Sequence, residues 1–550
     1  MGATPAIEKG SPRIVKNVFS TWTGYFVAFV INFFLSPYVV HHLGNTGYGT
    51  WTLISSLTGY LGLLDFGVRG AVTRYVVKFH TIEDNESASR VASSGMLIFA
   101  ASGLFAIAIA TGLSVFAVGK FRIPATYHSA AQIVLVVAGL NVAASLLGGV
   151  FGGIIAALQR FDVLNGTDVF VSLCRALVIV GALHRGKGLV TLACIQLLFT
   201  VVRGVVNYAL SRRLYPGLKI GFARADSSHA RMIFAFSVYM FLIQVSGDLI
   251  FYADTVVIGA FLPVALITFF VIGGNLVEYT RVILTGISFP LGPLASQLEA
   301  KGDVAGLKET LLTSARLGTA VVVPILVTFM IRGGTFIGLW MGAQYVEVSG
   351  HILRILTLLM FFIAGTHLAG SVTLGIGKHR PLVLVRGLEG LCNLGLSILW
   401  VRTMGIAGVA WGTTIPGIAF CFFWPWYMHR ILDIRPIQFI IDCWLRPWSC
   451  LIPFAVATYG VERWWPVSRL LVFFLQIVLI LPVALAGIWF GCVDRKHREH
   501  YIAVLLQSIG RVFSRGRRTD AGARALTPVP LGFISRDLSS VKSNGRVEEP

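Results

Sequence analysis

Residues 167–210 read TDVFVSLCRALVIVGALHRGKGLVTLACIQLLFTVVRGVVNYAL. Two apolar runs, 167–184 and 188–210, flank a short basic turn around Arg185 and Lys187. Each is close to the ~20 residues an α-helix needs to cross the hydrocarbon of a bilayer. No water is available there to satisfy backbone amides, so a chain built from such runs is helical. The pattern extends outward in both directions. Earlier runs lie near 17–39, 50–76, 91–118 and 129–157, and later ones near 232–261, 264–293, 312–331, 351–376, 381–401, 404–428, 438–459 and 467–490. The reading is an all-α polytopic membrane protein with about fourteen spans.

Composition supports it. Of 550 residues, 55% are apolar and 13% charged, where soluble domains carry roughly 25% charged residues. A soluble enzyme, a disordered protein and a nucleic-acid module are excluded on that ground. The net charge of +20 fits cytoplasmic loops and anionic lipid headgroups. Seven cysteines lie in or beside apolar runs without a CxxC pair, so they read as small core residues, with no disulfide framework and no metal site. The first apolar stretch is a full span rather than the short core of a cleavable signal.

An even number of spans puts both termini on one side. The loops of that side carry sixteen Lys and Arg against eight opposite, and the tail after residue 490 adds eleven. Basic residues favour the cytoplasm, which places both termini there. The organisation read from this is a cytoplasmic N-terminus (1–16), an N-terminal six-helix bundle (17–214), a C-terminal six-helix bundle (231–430), two additional helices (437–490) and a basic, disordered tail (491–550). That tail opens with an amphipathic stretch, Tyr501 to Phe513, suited to anionic lipid. An internal repeat at an offset near 218 relates LQRFDVLNGTDVFVSLCRALVIV to IGKHRPLVLVRGLEGLCNLGLSI, with Arg160 and Lys378 each fourteen residues before a cysteine, Cys174 or Cys392. Chance alignment of Leu/Val/Gly-rich helices is the alternative. Parallel repeats of this kind place a substrate path between the halves.

Charges inside spans are costly and so informative. Arg74, Arg231, Arg316 and Arg354 sit near predicted helix ends, where snorkelling accounts for them. Asp65–Arg69, Glu278–Arg281, Arg386–Glu389 and Asp442–Arg446 are spaced to share a helical face. A neutralised structural pair is the reading for Asp442–Arg446, while Asp65–Arg69, in LLDFGVRGA, leans toward function. Arg175 and Arg203, with no acidic residue at helical spacing, and Asp248 and Asp254 in the seventh span, should face the bundle interior. His367 reads as a core residue. The interior is then mixed with a cationic excess, which suits an anionic group such as a phosphate gripped by guanidinium forks. No GxSxG, phosphate-binding glycine loop or HExxH occurs, and no catalytic residues or cofactor are expected.

One longer stretch carries a family likeness. FLSPYVVHHLGNTGYGTWTLISSLTGYLGLLDFGVRGAVTRYV (34–76) resembles the N-terminal signature of polysaccharide exporters of the Wzx type, in the multidrug/oligosaccharidyl-lipid/polysaccharide (MOP) superfamily. ADTVVIGAFL (253–262), ISFPLGPLASQLEAKGD (287–303), FIGLWMG (336–342) and GIAGVAWGT (405–413) follow in family order. The resemblance implies a V-shaped pair of bundles flipping undecaprenyl-diphosphate-linked repeat units across the inner membrane by alternating access. It implies Arg69 and Arg281 as cavity cations for the diphosphate, Arg203 and Arg175 as weaker ones, and Asp65, Asp254, Glu278 and Asp248 as charge-tuning or ion-coupling groups. The partners would be a lipid-linked anionic oligosaccharide, membrane lipids and the polysaccharide polymerase and glycosyltransferases of the same process, without nucleic acid. A cation-coupled MATE-type drug exporter is the alternative, and a membrane-bound sugar-transfer enzyme a third. The basic tail departs from the resemblance.

Overall fold

A computed structural model describes residues 11–378, 380–495 and 498–499. The helix Ser11–Gly59 is divided at Gly44, whose φ of 68° and ψ of 171° leave helical space. The first pass, α1, is therefore 11–43. The second, α2, runs over 45–81 and is itself broken. Its first part ends in the 3-10 turn Tyr60–Asp65, Phe66 and Gly67 take left-handed backbone, and the helix restarts as Val68–Thr81. The expected span 50–76 is thus two half-helices, because a glycine after Phe66 tolerates the positive φ that stops the first.

The later passes are α3 (Asn85–Phe116), α4 (Ala125–Ala157), α5 (Phe161–His184), α6 (Leu189–Leu214), α7 (Ser227–Phe261), α8 (Ala265–Ala300), α9 (Val304–Trp340), α10 (Ala343–Gly375), α11 (Arg380–Met404), α12 (Ile406–Leu432), α13 (Pro436–Trp464) and α14 (Leu470–Cys492). Among the described residues twelve helical stretches are long and apolar enough to span. The first, Ser20–Thr81, is 62 residues and holds two passes; the 35-residue α7 completes the fourteen. The tail beyond residue 499, with its amphipathic stretch, lies outside the described residues.

The two six-helix halves repeat their punctuation. Asp84 caps α3 by accepting from the Ser87 amide, and Asp303, 219 positions on, caps α9 by accepting from the Gly306 amide. Each cap follows a left-handed residue, Glu83 or Gly302. Gln159 before α5 and Gly377 before α11, 218 apart, are left-handed, as are Gly186 before α6 and Gly405 before α12, 219 apart. These turns share a backbone solution at positions the side chains alone do not reveal. Within the N-terminal half α3 packs on α4, α4 on α6 and α1 on α5; within the C-terminal half α9 packs on α10, α8 on α10, α7 on α11 and α11 on α12.

Helices α13 and α14 dock on the C-terminal half through polar groups the sequence reading misplaced. Arg332, one of the eight basic residues assigned above to the loops opposite the termini, is fully buried in α9. Its Nε donates to Glu462 of α13 at 2.8 Å, its Nη2 to Gln476 of α14 at 2.5 Å, and the guanidinium lies 4.5 Å from the Phe473 ring centroid. Arg316 is likewise buried rather than snorkelling, and pairs at 3.3 Å with Asp442, which Arg446 also reaches at 3.6 Å. Buried Trp444 donates its indole N–H to the Phe362 carbonyl over Gly365, where a Cβ would stand 2.3 Å from the ring. These helices follow the second half without a large gap, so their charges are solved across helices rather than along one.

Candidate functional site: linked polar chambers beside an apolar groove

At the end of the molecule that carries the α1–α2 and α7–α8 turns, the halves are tied together. Thr268 donates to the Asn45 carbonyl at 2.7 Å, Tyr345 donates to Asn45 Oδ1 at 2.5 Å, and the Arg122 amide donates to the Gly259 carbonyl at 3.1 Å. Gly49 meets the Val264 carbonyl so closely that a Cβ would overlap it.

A chamber of about 410 Å³ lies among α2, α4 and α6, with Tyr252 of α7 closing one side. The break in α2 is what equips it. Asp65 Oδ1 accepts from the Arg69 amide at 3.2 Å, capping the restarted helix, and its Oδ2 stands 3.4 Å from Arg69 Nε. The Tyr252 ring rests on Gly59, where any side chain would collide with it. A second chamber, about 340 Å³, is bounded by Asn32 and Ser36 of α1, Arg175 of α5, and Asn275 and Tyr279 of α8. Arg175 donates to Gln196 of α6 at 2.8 Å. Trp51 and Gln196 border both chambers.

A smaller recess, about 160 Å³, opens beside the first chamber and shares Arg69 and Ser145 with it. Arg203 of α6 stands 3.6 Å from Asp168 of α5 there. Side-chain exposures of 38% and 44% for that pair, and 46% for Arg69, mark groups facing open space. On the far side of the second chamber an apolar groove of about 460 Å³ runs among α1, α8, α9, α13 and α14, lined by Phe29, Phe33, Phe329, Phe336 and Phe473. Tyr279 lines both the chamber and the groove.

In the C-terminal half, Asp254 of α7 is buried and its Oδ2 accepts from Thr413 of α12 at 2.7 Å; Thr413 in turn accepts from Asn393 of α11 at 2.9 Å. Asp254 Oδ1 and Asn393 Oδ1 are buried without a hydrogen-bond partner. Glu278 and Arg281 approach to 3.3 Å, and His367 meets Thr285 at 3.4 Å. Among the described residues no three His, Cys, Asp or Glu side chains converge on a metal position.

Arg69, Arg203, Arg175 and Asp65 thus border linked spaces, while Arg281, Glu278, Asp254 and Asp248 lie outside the lining of these chambers. Three sequence readings change. Arg203 is paired, by Asp168; Arg175 is held by Gln196; and Asp248 accepts from Gln244 at 2.9 and 3.0 Å. Asp168 went unnoticed although it lies seven residues before Arg175, two turns along the same face. Gln196 and Tyr279 carried no signal that separates them from ordinary span residues.

A family model described as "Polysaccharide biosynthesis protein" matches residues 14–299. The chain belongs to that family. A relative named "Putative O-antigen transporter" from Shigella flexneri is 21% identical over 426 residues, covering 76% of this chain and 99% of its own. Among solved structures, the lipid II flippase MurJ in an inward closed conformation superposes with a TM-score of 0.67 at 13% identity, over 86% of this chain and 98% of its own. A MATE transporter in complex with MaL6 gives 0.59 at 15% identity, over 76% and 96%, and an outward-facing MATE family multidrug transporter of the MOP superfamily gives 0.58 at 16%, over 76% and 95%. The chain therefore shares the fold of these MOP transporters, with fourteen long helical passes among the described residues, thirteen of them within the stretches apolar enough to span.

Proposed function

We propose that this protein moves undecaprenyl-diphosphate-linked oligosaccharide repeat units from the inner to the outer leaflet of the bacterial cytoplasmic membrane. The observation that carries the reading is the adjacency at Tyr279 of polar, arginine-bearing chambers and a phenylalanine-lined groove. Such a substrate has a headgroup that cannot enter hydrocarbon without losing its hydration, and a tail that can. The chambers offer donors to the diphosphate and sugars, and the groove offers a wall to the polyprenyl chain. Arg69, Arg203 and Arg175 are the cations nearest that path, and Arg281 would meet the diphosphate only after the halves rearrange.

The moving bodies in this reading are 17–214 and 231–430, exchanging access across the seam at Asn45, with both termini cytoplasmic. Asp254, buried and hydrogen-bonded through Oδ2 to Thr413, is the group assigned to ion coupling; Asp65, Glu278 and Asp248 tune charge around the path. Polymerase and glycosyltransferases would supply and consume the flipped unit.

The experiment is mass spectrometry of lipid-linked glycans in a strain lacking the gene, with sidedness read by an impermeant label. Accumulation of the complete diphosphate-linked unit in the cytoplasmic leaflet is expected. A normal lipid-linked pool with unchanged surface polysaccharide would refute the reading in favour of drug export, and partial glycans would point to an enzyme.

A further inference from the structure

The small recess has a chemistry different from that of an anion site. Two arginines, Arg69 and Arg203, are each beside a carboxylate, Asp65 at 3.4 Å and Asp168 at 3.6 Å, so the charges balance. Asp168 lines the recess itself, while Asp65 faces the neighbouring chamber. Asn207, 4% exposed, lines the space and its Oδ1 has no hydrogen-bond partner. Its Nδ2 stands nearest the space above Gly152, where it offers a donor to an occupant.

The floor is backbone. Gly148, Gly149, Gly152 and Gly153 present one face of α4 to the space, and Gly204 of α6 faces Gly148. A Cβ at Gly148 would lie 3.1 Å from the Gly204 Cα, which brings the two helices together; one at Gly152 would meet nothing nearer than Asn207 Nδ2 at 3.7 Å, so space remains above it. At roughly 30 Å³ per water, 160 Å³ holds about five waters. That admits one ring and not a chain of them.

We propose that this recess is the sugar-reading subsite of the protein, taking one neutral sugar ring of the headgroup by its hydroxyls. The inference rests on the lipid-linked oligosaccharide reading above and adds where discrimination occurs. Each hydroxyl both donates and accepts, which matches balanced Asp–Arg pairs and the Asn207 amide. Carboxylate neighbours disfavour a phosphoryl group at the same place. The larger chambers, at about 410 and 340 Å³, tolerate variation in the remaining sugars. A site built to hydrogen-bond a hydroxyl rejects an analogue lacking it far better than an apolar pocket rejects a methylene.

The test uses full-length protein in nanodiscs and three probes: undecaprenyl diphosphate, the complete lipid-linked repeat unit extracted from the host strain, and that unit made in strains each lacking one sugar. Wild type is expected to prefer the complete unit over one of the truncated ones by at least tenfold in Kd. Gly152→Leu, which fills the recess, and Asp168→Asn, which unbalances it, should each shrink that preference about tenfold, the worth of one hydrogen bond. Melting without ligand establishes that each variant is folded, and two variants of unrelated chemistry guard against the loss of either. An unchanged preference in folded variants overturns the inference while leaving the flippase reading standing. Equal loss of affinity for bare undecaprenyl diphosphate also overturns it, by making the recess an anion site. Failure of wild type to bind any of the three probes refutes the flippase reading and this inference together.

Discussion

Gly149→Ala moves one guanidinium without changing a charge. A Cβ at that position would stand 2.9 Å from Arg69 Nη2, 3.0 Å from Nε and 3.1 Å from Cζ. Ordinary contacts of this kind run at about 3.5–4.0 Å, so the guanidinium must retreat by roughly half an ångström or more. It is the free end of a flexible side chain, and it retreats cheaply. The backbone meanwhile gains about 1 kcal/mol of helix propensity from Gly to Ala. Folding stability should therefore hold or rise slightly. The position of Arg69 does not hold, because its 3.4 Å approach to Asp65 and its place at the junction of chamber and recess both depend on where the guanidinium sits. Losing one charge-assisted hydrogen bond to substrate costs about 1.5–3 kcal/mol, which is roughly 10–150-fold in affinity. Gly112→Ala is the matched control, since a Cβ there meets nothing within 4 Å. The assay is surface polysaccharide yield in a strain lacking the chromosomal gene, at equal membrane protein level, alongside melting of purified protein. Expected is strongly reduced export from Gly149→Ala with an unreduced melting temperature, and wild-type export from Gly112→Ala. Full export from Gly149→Ala would show that the placement of Arg69 is immaterial to transport.

Three further perturbations test other parts of the molecule. Asn45→Ala removes the acceptor of the Tyr345 hydroxyl at the seam, which at about 1 kcal/mol should raise the open fraction of that end roughly fivefold; labelling of a cysteine at Ser55 in a cysteine-free background, by an impermeant thiol reagent added from that end, would measure it, and unaltered labelling would show that this bond does not hold the seam. Glu462→Ala leaves the buried Arg332 without its carboxylate and should cost about 3 kcal/mol, near the low end for a broken buried pair because Glu462 is partly exposed; Arg332→Leu with Glu462→Leu should recover most of it in thermal melts, and additive losses would contradict the pairing. Hydrogen bonding by the Ser228 hydroxyl, then by His229, holds the Asp226 carboxyl well below the usual carboxylate range. A depressed native value stabilises the start of α7 above the unfolded value and loses that advantage as pH falls through the native one. Asp226→Asn should thus destabilise at pH 7 and converge on wild type in strong acid, and a pH-independent difference between the melting curves would contradict it.

The fourteen passes were legible because span length and apolarity are local quantities, and because the bilayer leaves the backbone no choice but helix. The repeat was legible only faintly. Its strongest evidence is the left-handed backbone at Glu83 and Gly302 and at Gln159 and Gly377, and neither pair is alike in side chain. The break in α2 is half visible in the sequence, since Gly67 and Gly70 permit a bend, but nothing local shows that Asp65 caps the restart through its own side chain. Boundaries failed where an element's end is set by a neighbour rather than by its own sequence.

Charges divide along the same line. Pairs close along the chain, Asp65–Arg69 across the break in α2 and Glu278–Arg281, Arg386–Glu389 and Asp442–Arg446 along a helix, follow from spacing and are present. Pairs between helices do not follow from spacing. Arg203 finds Asp168 on α5, thirty-five positions away; Arg332 finds Glu462 on α13, one hundred and thirty away; Arg316 finds Asp442. An arginine read as unpaired along its own helix is therefore weak evidence for a free cation. The bilayer charges enough for a lone guanidinium that the fold supplies a partner from whichever helix is nearest. What then separates a transport residue from a structural one is the space around the pair. Arg332 is sealed between helices at zero exposure, so its pair has nothing to bind, whereas Arg69, Arg203 and Asp168 remain between 38% and 46% exposed to a recess inside the bundle. A pair that is both neutralised and accessible, as Arg203–Asp168 is, is suited to exchanging its internal hydrogen bonds for those of a hydroxylated ligand at small electrostatic cost.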